Sequence, residues 1–277
     1  MNVLRESECW IANLSRRTFT VSCAGAGRWQ LERDPLGGIT NDMSDSEPAT
    51  VTPRPAPQDP DLFAARLRGF GPIGLLAIAV ITAGNLLVLP LSAILVLLWA
   101  QASKTPWSAL GFTAPQSWAR TAIVGVVFGI AFKLVMKAVV MPLLGADPIN
   151  WRYHYITGNA AALPGILYAV LVGAGFGEET LFRGFFFERL GQLFGRGRVG
   201  QVAIVLLTAS LFALAHYPDQ GRPGVEQAAV TGLVFGTIFA ARRQIWLLMF
   251  AHAAFDVTAV ALIYWNWEER VGHLLFR

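Results

Sequence analysis

The chain has few charged residues for its length. Charged side chains make up only 14% of its 277 residues, whereas a soluble domain typically carries about 25%. From Gly69 to Ser103 there is no charged side chain, and this run exceeds the roughly 20 apolar residues that cross a bilayer as a helix. Further apolar blocks follow at about 121–146, 163–177, 201–217, 227–241 and 244–265. The composition argues against an ordinary soluble domain and predicts an all-α, polytopic helical membrane protein.

Cysteine is almost absent, and its position limits the chemistry of the membrane region. The two cysteines, Cys9 and Cys23, both lie in the first 42 residues, so we expect neither disulfide nor thiol chemistry in the apolar part. Residues 1–68 also lack the apolar stretch of a signal peptide. Positions 43–60 are rich in proline and acidic residues, which predicts a disordered N-terminal tail over 1–68. Translation starting at Met43, with 1–42 as a mis-called extension, is the alternative to a genuine tail of full length.

A strong net charge is missing too. The formal charge of +4 is explained by arginines in short loops, as at Arg196 and Arg198 or Arg242 and Arg243, and cytoplasmic loops of membrane proteins attract such residues. The GxGxxG match in "GRGRVG" follows no strand and lies in a basic loop, so it does not indicate a dinucleotide site. We therefore expect a multi-pass protein of the cell membrane, with the lipid bilayer as a partner and no nucleic acid.

The number of membrane crossings depends on residues 70–101. As one helix this segment would be about 48 Å long, whereas the hydrocarbon core is about 30 Å thick. It forms either one tilted helix or two short helices that break near Gly84 and Asn85. We expect six or seven transmembrane segments. Residues 69–158 form the N-terminal group, with an interfacial connector around Trp107 and Trp118.

Two lysines lie one helical turn apart inside the apolar block at 121–146. For Lys133 and Lys137 the default expectation is that the side chains reach toward one membrane interface. Lys133 lies deep enough that an internal acidic partner stays open as an alternative.

The C-terminal half carries a second group of ionisable residues in apolar surroundings. An ionisable side chain at mid-bilayer costs roughly 2.5–3.5 kcal/mol on insertion scales, so these residues should face an internal cavity. Glu179 and Arg183 are four residues apart, which predicts an ion pair. Glu178 is turned by about 100° from Glu179 and can point into the cavity. The six residues are Glu178, Glu179, Arg183, His216, His252 and Asp256.

Helical spacing also relates members of this group to their neighbours. His252 and Asp256 are again four residues apart, so Asp256 is expected to orient the imidazole and fix its tautomer. Just before the glutamates, Gly173, Gly175 and Gly177 are expected to let neighbouring helices approach closely. Taken singly, each of these features is also typical of a structural staple between helices, and their joint occurrence favours a functional site.

These motifs resemble the CPBP family of intramembrane proteases, which includes CAAX prenyl endopeptidases and bacteriocin-processing relatives. The family motifs EExxxR, FxxxH and HxxxN or HxxxD read here "EETLFR" at 178–183, "FALAH" at 212–216 and "HAAFD" at 252–256. All three occur in order on apolar segments, over roughly residues 160–260. The third ends in Asp, a variant of the more common Asn. Signatures of other intramembrane proteases, HExxH, GxSG and GxGD, do not occur in the sequence.

The resemblance implies an all-helical catalytic core over residues 159–267 that hydrolyses a peptide bond of a membrane-associated protein or peptide. Glu178, Glu179, Arg183, His216, His252 and Asp256 are then the expected catalytic residues. A carboxylate in a site of low dielectric constant can act as general base on a water molecule. Glu178, His216 and His252 can also ligate a divalent metal such as zinc, and whether a metal takes part stays open.

Two other functions compete with the protease. The first is a catalytically idle membrane protein of the same fold that acts as an immunity or scaffold partner. The second is a proton- or ion-coupled transporter with a relay of buried Glu, His and Asp, which the absence of visible repeat halves disfavours.

Overall fold

The computed structural model describes residues 9–14, 18–23, 27–33, 39–40 and 61–275. The chain divides into two compact units, Met1–Gln58 and Asp59–Arg277, and each is described by itself. A disordered tail was expected over residues 1–68; the proline-rich stretch 43–60 that indicated it, and the alternative start at Met43, lie outside the described residues.

The first unit contains a small antiparallel sheet that the sequence analysis did not predict. The four strands that the described residues of this unit form pair in chain order, with the second strand in register with the third from Thr18 opposite Glu32 to Cys23 opposite Gly27. The strands are β1 (Cys9–Leu14), β2 (Thr18–Cys23), β3 (Gly27–Arg33) and β4 (Ile39–Thr40).

The second unit is helical, as expected. The main helices among its described residues are α1 (Leu62–Arg68), α2 (Pro72–Ala83), α3 (Leu91–Ala102), α4 (Trp118–Leu143), α5 (Ala160–Phe194), α6 (Arg198–Ala215), α7 (Tyr217–Arg242), α8 (Trp246–Tyr264) and α9 (Glu268–Gly272). Short 3₁₀ turns lie at Gly84–Leu86, Trp107–Leu110 and His154–Ile156.

In the described part of the chain, five helices are long and apolar enough to cross a membrane, namely α4 to α8. The bent pair formed by Leu62–Arg68 and Pro72–Leu86 counts as a sixth span if both parts cross together. With this pair included, the number of candidate membrane spans is six, the lower of the two numbers predicted from the sequence. Helix α3 has only 12 residues and is about 18 Å long, shorter than the hydrocarbon core.

The long segment at 70–101 breaks where the sequence predicted. Helix α2 ends at Ala83 and α3 begins at Leu91, and the connection is held by two reciprocal hydrogen bonds. The backbone N–H of Asn85 donates to the hydroxyl of Ser92, and the N–H of Ser92 donates to the Asn85 side chain, both at 2.9 Å. Because α2 and α3 turn back here, the segment is a helical hairpin rather than one long helix.

Helix α1 belongs to the helical unit, which begins at Asp59 rather than at the expected Gly69. The Asp61 side chain caps the helix by accepting from the N–H of Ala64 at 3.1 Å. At the other end, the guanidinium of Arg189 donates to the carbonyls of Arg68 and Gly69. Residues 61–68 are therefore integrated into the helical unit by their hydrogen bonds.

Helices α4 and α8 cross closely because two glycines of α4 face the backbone of α8. A Cβ atom on Gly129 would lie 2.1 Å from the carbonyl oxygen of Ala251, and one on Gly125 would lie 2.7 Å from that of Leu247. The two glycines form a GxxxG pair, "GVVFG", a spacing that lets helix backbones approach. This contact fixes the part of α8 that carries the candidate site.

Candidate active site

A buried chain of three side chains forms the centre of the candidate site. The guanidinium of Arg183 donates to Oε1 of Glu179 at 2.8 Å, and Nδ1 of His252 lies 2.7 Å from the same oxygen. The Glu179 and Arg183 side chains are 0% and 2% exposed. The expected ion pair between Glu179 and Arg183 is confirmed. Since Glu179 accepts from the arginine as a carboxylate, Nδ1 of His252 carries the proton and donates it.

The other ring nitrogen of His252 faces two further carboxylates. Nε2 lies 3.8 Å from Oε2 of Glu178 and 3.6 Å from Oδ2 of Asp256. Both separations exceed a hydrogen bond. The expectation that Asp256 fixes the tautomer of His252 is wrong, because Glu179 occupies the Nδ1 side and Asp256 lies on the Nε2 side. Glu178 and Asp256 are each about a quarter exposed, whereas Glu179 on the Nδ1 side is fully buried, so the Nε2 side of the imidazole has the more exposed neighbours.

Both glutamates keep an oxygen that can accept another hydrogen bond. Oε2 of Glu178 and Oε2 of Glu179 are buried and have no partner among the described residues. Buried carboxylate oxygens normally find donors. The two adjacent glutamates therefore have different surroundings: Glu179 is held by Arg183 and His252, whereas Glu178 is free to interact with another molecule.

Two phenylalanines enclose the charged groups. The Arg183 guanidinium lies over the rings of Phe212 and Phe235, at 4.6 and 5.5 Å from their centroids. The imidazole of His252 meets the same two rings edge to face, with centroids 6.0 and 5.6 Å apart. Aromatic faces attract a cation, so these rings stabilise the arginine while keeping water from the Glu179 pair.

The backbone of α5 explains how both glutamates reach the site. Residues Ala169–Phe185 form a π-helix inside α5, a rare element that is often found at functional sites. A Cβ on Gly175 would meet the Cβ of Ala253 at 2.9 Å, and one on Gly177 would meet Pro90 at 3.1 Å. The close approach expected for these glycines is confirmed, and Gly175 brings the glutamate helix against α8 beside His252.

His216 lies at the C-terminal end of α6, and it contacts its own helix. Its Nδ1 is 2.8 Å from the carbonyl oxygen of Phe212, so Nδ1 donates and Nε2 is left as an acceptor. The His216 and Phe212 rings are 4.6 Å apart. Because Phe212 also meets His252 and Arg183, this phenylalanine connects His216 to the rest of the group.

The residues do not fit a metal site as they are arranged. Among the described residues, no three His, Cys, Asp or Glu side chains are gathered as metal ligands. In the set that the sequence suggested, Glu178, His216 and His252, the histidine at 216 forms no hydrogen bond or ion pair with the other two. A zinc ion needs about four ligands, at roughly 2.0–2.3 Å. The divalent metal stays a prediction from sequence, and no step of the chemistry is derived through it.

Helix irregularities occur in α5 and in α7. Gly177 lies within the π-helix. In α7 the irregular residue is Gly221, with φ 62° and ψ −158°, three residues beyond Pro218. This left-handed conformation suits glycine because it has no Cβ.

Sequence reasoning missed three contributors to this region. The GxxxG pair in α4 is visible in the sequence and could have been found by its spacing. Phe235 has no such signal, since an apolar residue in a helix is ordinarily core. Glu268 pairs with Lys137 at 2.9 Å in the structure, whereas the sequence analysis considered an internal acidic partner only for Lys133.

Comparison with known proteins agrees with the family resemblance indicated by the three sequence motifs. Residues 160–258 match the family model described as type II CAAX prenyl endopeptidase Rce1-like, and this range includes all six candidate site residues. Comparisons with curated proteins and with solved structures give no match. The resemblance to the CPBP family is thereby confirmed for residues 160–258, the part of the chain that matches the Rce1-like model.

Proposed function

We propose that this protein is an intramembrane endopeptidase that hydrolyses a peptide bond of a membrane-associated protein or peptide with water activated by Glu178. The observation that carries the proposal is the different setting of the two glutamates. Glu179 is committed to Arg183 and His252, whereas Glu178 keeps an acceptor oxygen without a partner among the described residues, 3.8 Å from Nε2 of His252. The Rce1-like domain supports the class of activity.

Glu178 is suited to the role of general base. In the proposed reaction its carboxylate takes a proton from water as the water oxygen bonds to the scissile carbonyl carbon. The same proton then passes to the amine when the C–N bond breaks, and Glu178 returns to its ionised form. General bases of this kind contribute about 10²–10⁴-fold to a rate.

His252 is suited to stabilise the negative charge that develops on the carbonyl oxygen. Three carboxylates, Glu178, Glu179 and Asp256, surround one guanidinium and this imidazole. In the proposed reaction the imidazole carries a proton on Nε2 as well as on Nδ1, next to these carboxylates. Nε2–H then donates to the oxyanion, as preorganised donors do in acyl transfer. Glu179 acts as a positioning residue that holds the ring, and His216 offers Nε2 to position the water.

A cleavage assay tests the proposal. Purified wild-type protein and Glu178→Ala are incubated with a peptide library in detergent, and new N-termini are identified by mass spectrometry. We expect discrete cleavage by the wild type and none by Glu178→Ala, with equal thermal unfolding of the two proteins. Parallel samples with a chelator report on a metal. Absence of cleavage by the wild type across the library would favour the idle immunity or scaffold partner.

A further inference from the structure

A cavity of about 320 Å³ lies beside the candidate active site. It is lined by the last turns of α4, the loop at 146–152, the start of α7 around Gly221, the end of α8 and α9. Ligand sites in proteins begin at about 300 Å³, so the space accepts one or two residues of a peptide. We call it the Lys133 cavity, after the lysine that lines it together with Lys137, Gln227, Ile263 and Glu268.

The charges around the Lys133 cavity leave one positive charge in excess. Three basic residues line it, Lys133, Lys137 and Arg152, against two acidic ones, Asp147 and Glu268. Lys137 is satisfied, since its ammonium lies 2.9 Å from Oε1 of Glu268 and also donates to the carbonyl of Pro148.

Asp147 is likewise engaged in its own loop. Its carboxylate accepts from the backbone N–H of Ile149 at 2.8 Å and from the indole of Trp151 at 3.0 Å. These donors, the backbone N–H first, hold the pKa of Asp147 below its ordinary value of 3.8. Asp147 therefore stays ionised without taking Lys133 as its partner.

Lys133 is the one lining lysine without a counterion among the described residues. It is 7% exposed, its ammonium donates to Oε1 of Gln227 at 2.9 Å, and it lies over the ring of Phe255 at 4.6 Å. An ammonium has three N–H donors, so two remain after Gln227. A buried charge with no partner of opposite sign is costly, and an anion bound in the cavity would offset that cost.

The Lys133 cavity adjoins the reaction site along one face of α8. Ala259 and Ile263 line the cavity, and they follow Asp256 by three and seven residues, which places all three on one side of the helix. Seven residues of α-helix span about 10 Å. A peptide of a few residues is therefore long enough to extend from Nε2 of His252 into the cavity.

We propose that the Lys133 cavity is a substrate subsite that binds a carboxylate, with the ammonium of Lys133 and the amide N–H of Gln227 as donors. The inference rests on the proposed endopeptidase function and names the chemistry of its substrate. A single free ammonium matches a single negative charge, whereas Asp147 and Glu268 would repel a dianion such as phosphate. Oε2 of Glu268 is buried and has no partner among the described residues, so it can accept a backbone N–H of the same peptide.

Two sources of the carboxylate have the same chemistry, the free C-terminus of a peptide and an Asp or Glu side chain. The probe is one peptide library synthesised twice, with free and with amidated C-termini. Cleavage by the wild type gives kcat and KM for matched pairs. Binding of both libraries to Glu178→Gln, measured by affinity selection, reports on the subsite even if no peptide is hydrolysed.

Two variants remove the free ammonium by different routes. Lys133→Met deletes the charge and keeps the length of the side chain, and Gln227→Glu keeps Lys133 but gives it an internal carboxylate. Lys133→Arg retains the charge. Lys104→Met is the matched control, because it deletes the charge of a lysine that is 66% exposed and does not line the cavity.

We expect peptides that carry the carboxylate to bind about tenfold more tightly than matched neutral peptides, as a lower KM with little change in kcat. Lys133→Met and Gln227→Glu should each reduce this preference to under twofold, while Lys133→Arg and Lys104→Met retain it. Preference for free termini identifies the C-terminus as the source, and preference for Asp or Glu at a fixed position identifies a side chain.

Equal KM for the matched peptides in an active enzyme would overturn the subsite and leave the endopeptidase intact. A preference for carboxylate-bearing peptides that persists in both Lys133→Met and Gln227→Glu would also overturn the subsite. If those variants instead lower kcat for all peptides alike, Lys133 acts through Asp256 and the subsite is rejected. A change only in the response to phosphatidylglycerol vesicles against phosphatidylcholine vesicles would assign the cavity to lipid and overturn the proposal.

Discussion

At the scale of single residues, the proposed mechanism depends on the buried carboxylate of Glu179, which accepts hydrogen bonds from two side chains. Glu179 holds both Arg183 and His252 through the same oxygen, so its neighbours are coupled and cannot be altered independently. Glu178, its neighbour in sequence, is left to face the Nε2 side of His252. A substitution at either glutamate should therefore give a different pattern of stability and activity.

Arg183→Ala should lower both stability and activity. The substitution leaves the Glu179 carboxylate buried without its cation, and breaking a buried pair in this way costs about 3–5 kcal/mol. Glu179→Gln combined with Arg183→Met should restore the thermal unfolding temperature, because both charges leave together, but activity should remain low because His252 loses its acceptor carboxylate. Unfolding curves and cleavage rates of the three proteins check this.

The matched control is Arg222→Ala. Arg222 pairs with Glu226 at 2.7 Å with the same four-residue spacing, but its side chain is 81% exposed, and exposed pairs contribute about 0–1 kcal/mol. The Arg222→Ala variant should have the same unfolding temperature as the wild type. A double variant at 179 and 183 that is as unstable as Arg183→Ala would show that the arginine depends on another partner.

His216→Ala should reduce cleavage by about 10²–10⁴-fold while the protein stays folded. Among the described residues the imidazole hydrogen-bonds to the carbonyl of Phe212 and packs on the ring of the same residue, so its contacts are local and we expect the fold to tolerate its loss. The check is the cleavage rate of the purified variant together with its thermal unfolding. Full activity would remove His216 from the catalytic group.

At the scale of helices, the site depends on glycine contacts that bring α5 and α4 against α8. Gly129→Ala should destabilise the protein and lower activity, because the new Cβ would lie 2.1 Å from the carbonyl of Ala251, the residue before His252. Gly165→Ala is the control, since a Cβ there meets nothing within 4 Å. Gly129→Ala should have a lower unfolding temperature and a lower cleavage rate than Gly165→Ala. Equal values for the two variants would show that the close crossing of α4 and α8 does not support the site.

The helical pattern of the sequence is enough to predict the spans, the break near Gly84 and the Glu179–Arg183 pair, because these depend on local spacing and hydrophobicity. It could not show which nitrogen of His252 meets which carboxylate. That assignment depends on how α5 and α8 pack, and the π-helix of α5 changes the angle between successive side chains. The sheet in residues 9–40 had a usable signal that was overlooked, since polar and apolar residues alternate in "TFTVSC" of β2 and in "RWQLE" of β3, a pattern typical of a half-buried strand.

At the scale of the whole molecule, the helical unit should be sufficient for activity. It begins at Asp59, and all six candidate site residues lie within it. A truncated chain starting at Asp59 should insert, fold and cleave like the full chain. A chain starting at Gly69 should be less stable, since it lacks α1 and the carbonyl of Arg68 that Arg189 binds. Expression in membranes and thermal unfolding test both, and normal stability from Gly69 would show that α1 is dispensable.

The central claim is that Glu178 activates water next to His252, and Glu178→Gln tests it most directly because the amide has nearly the same size and cannot take up the proton. The measurement is the single-turnover cleavage rate of a peptide identified with the wild type, with thermal unfolding measured on the same samples. The account predicts a loss of at least about 100-fold with an unchanged unfolding temperature. A rate within twofold of the wild type would contradict it.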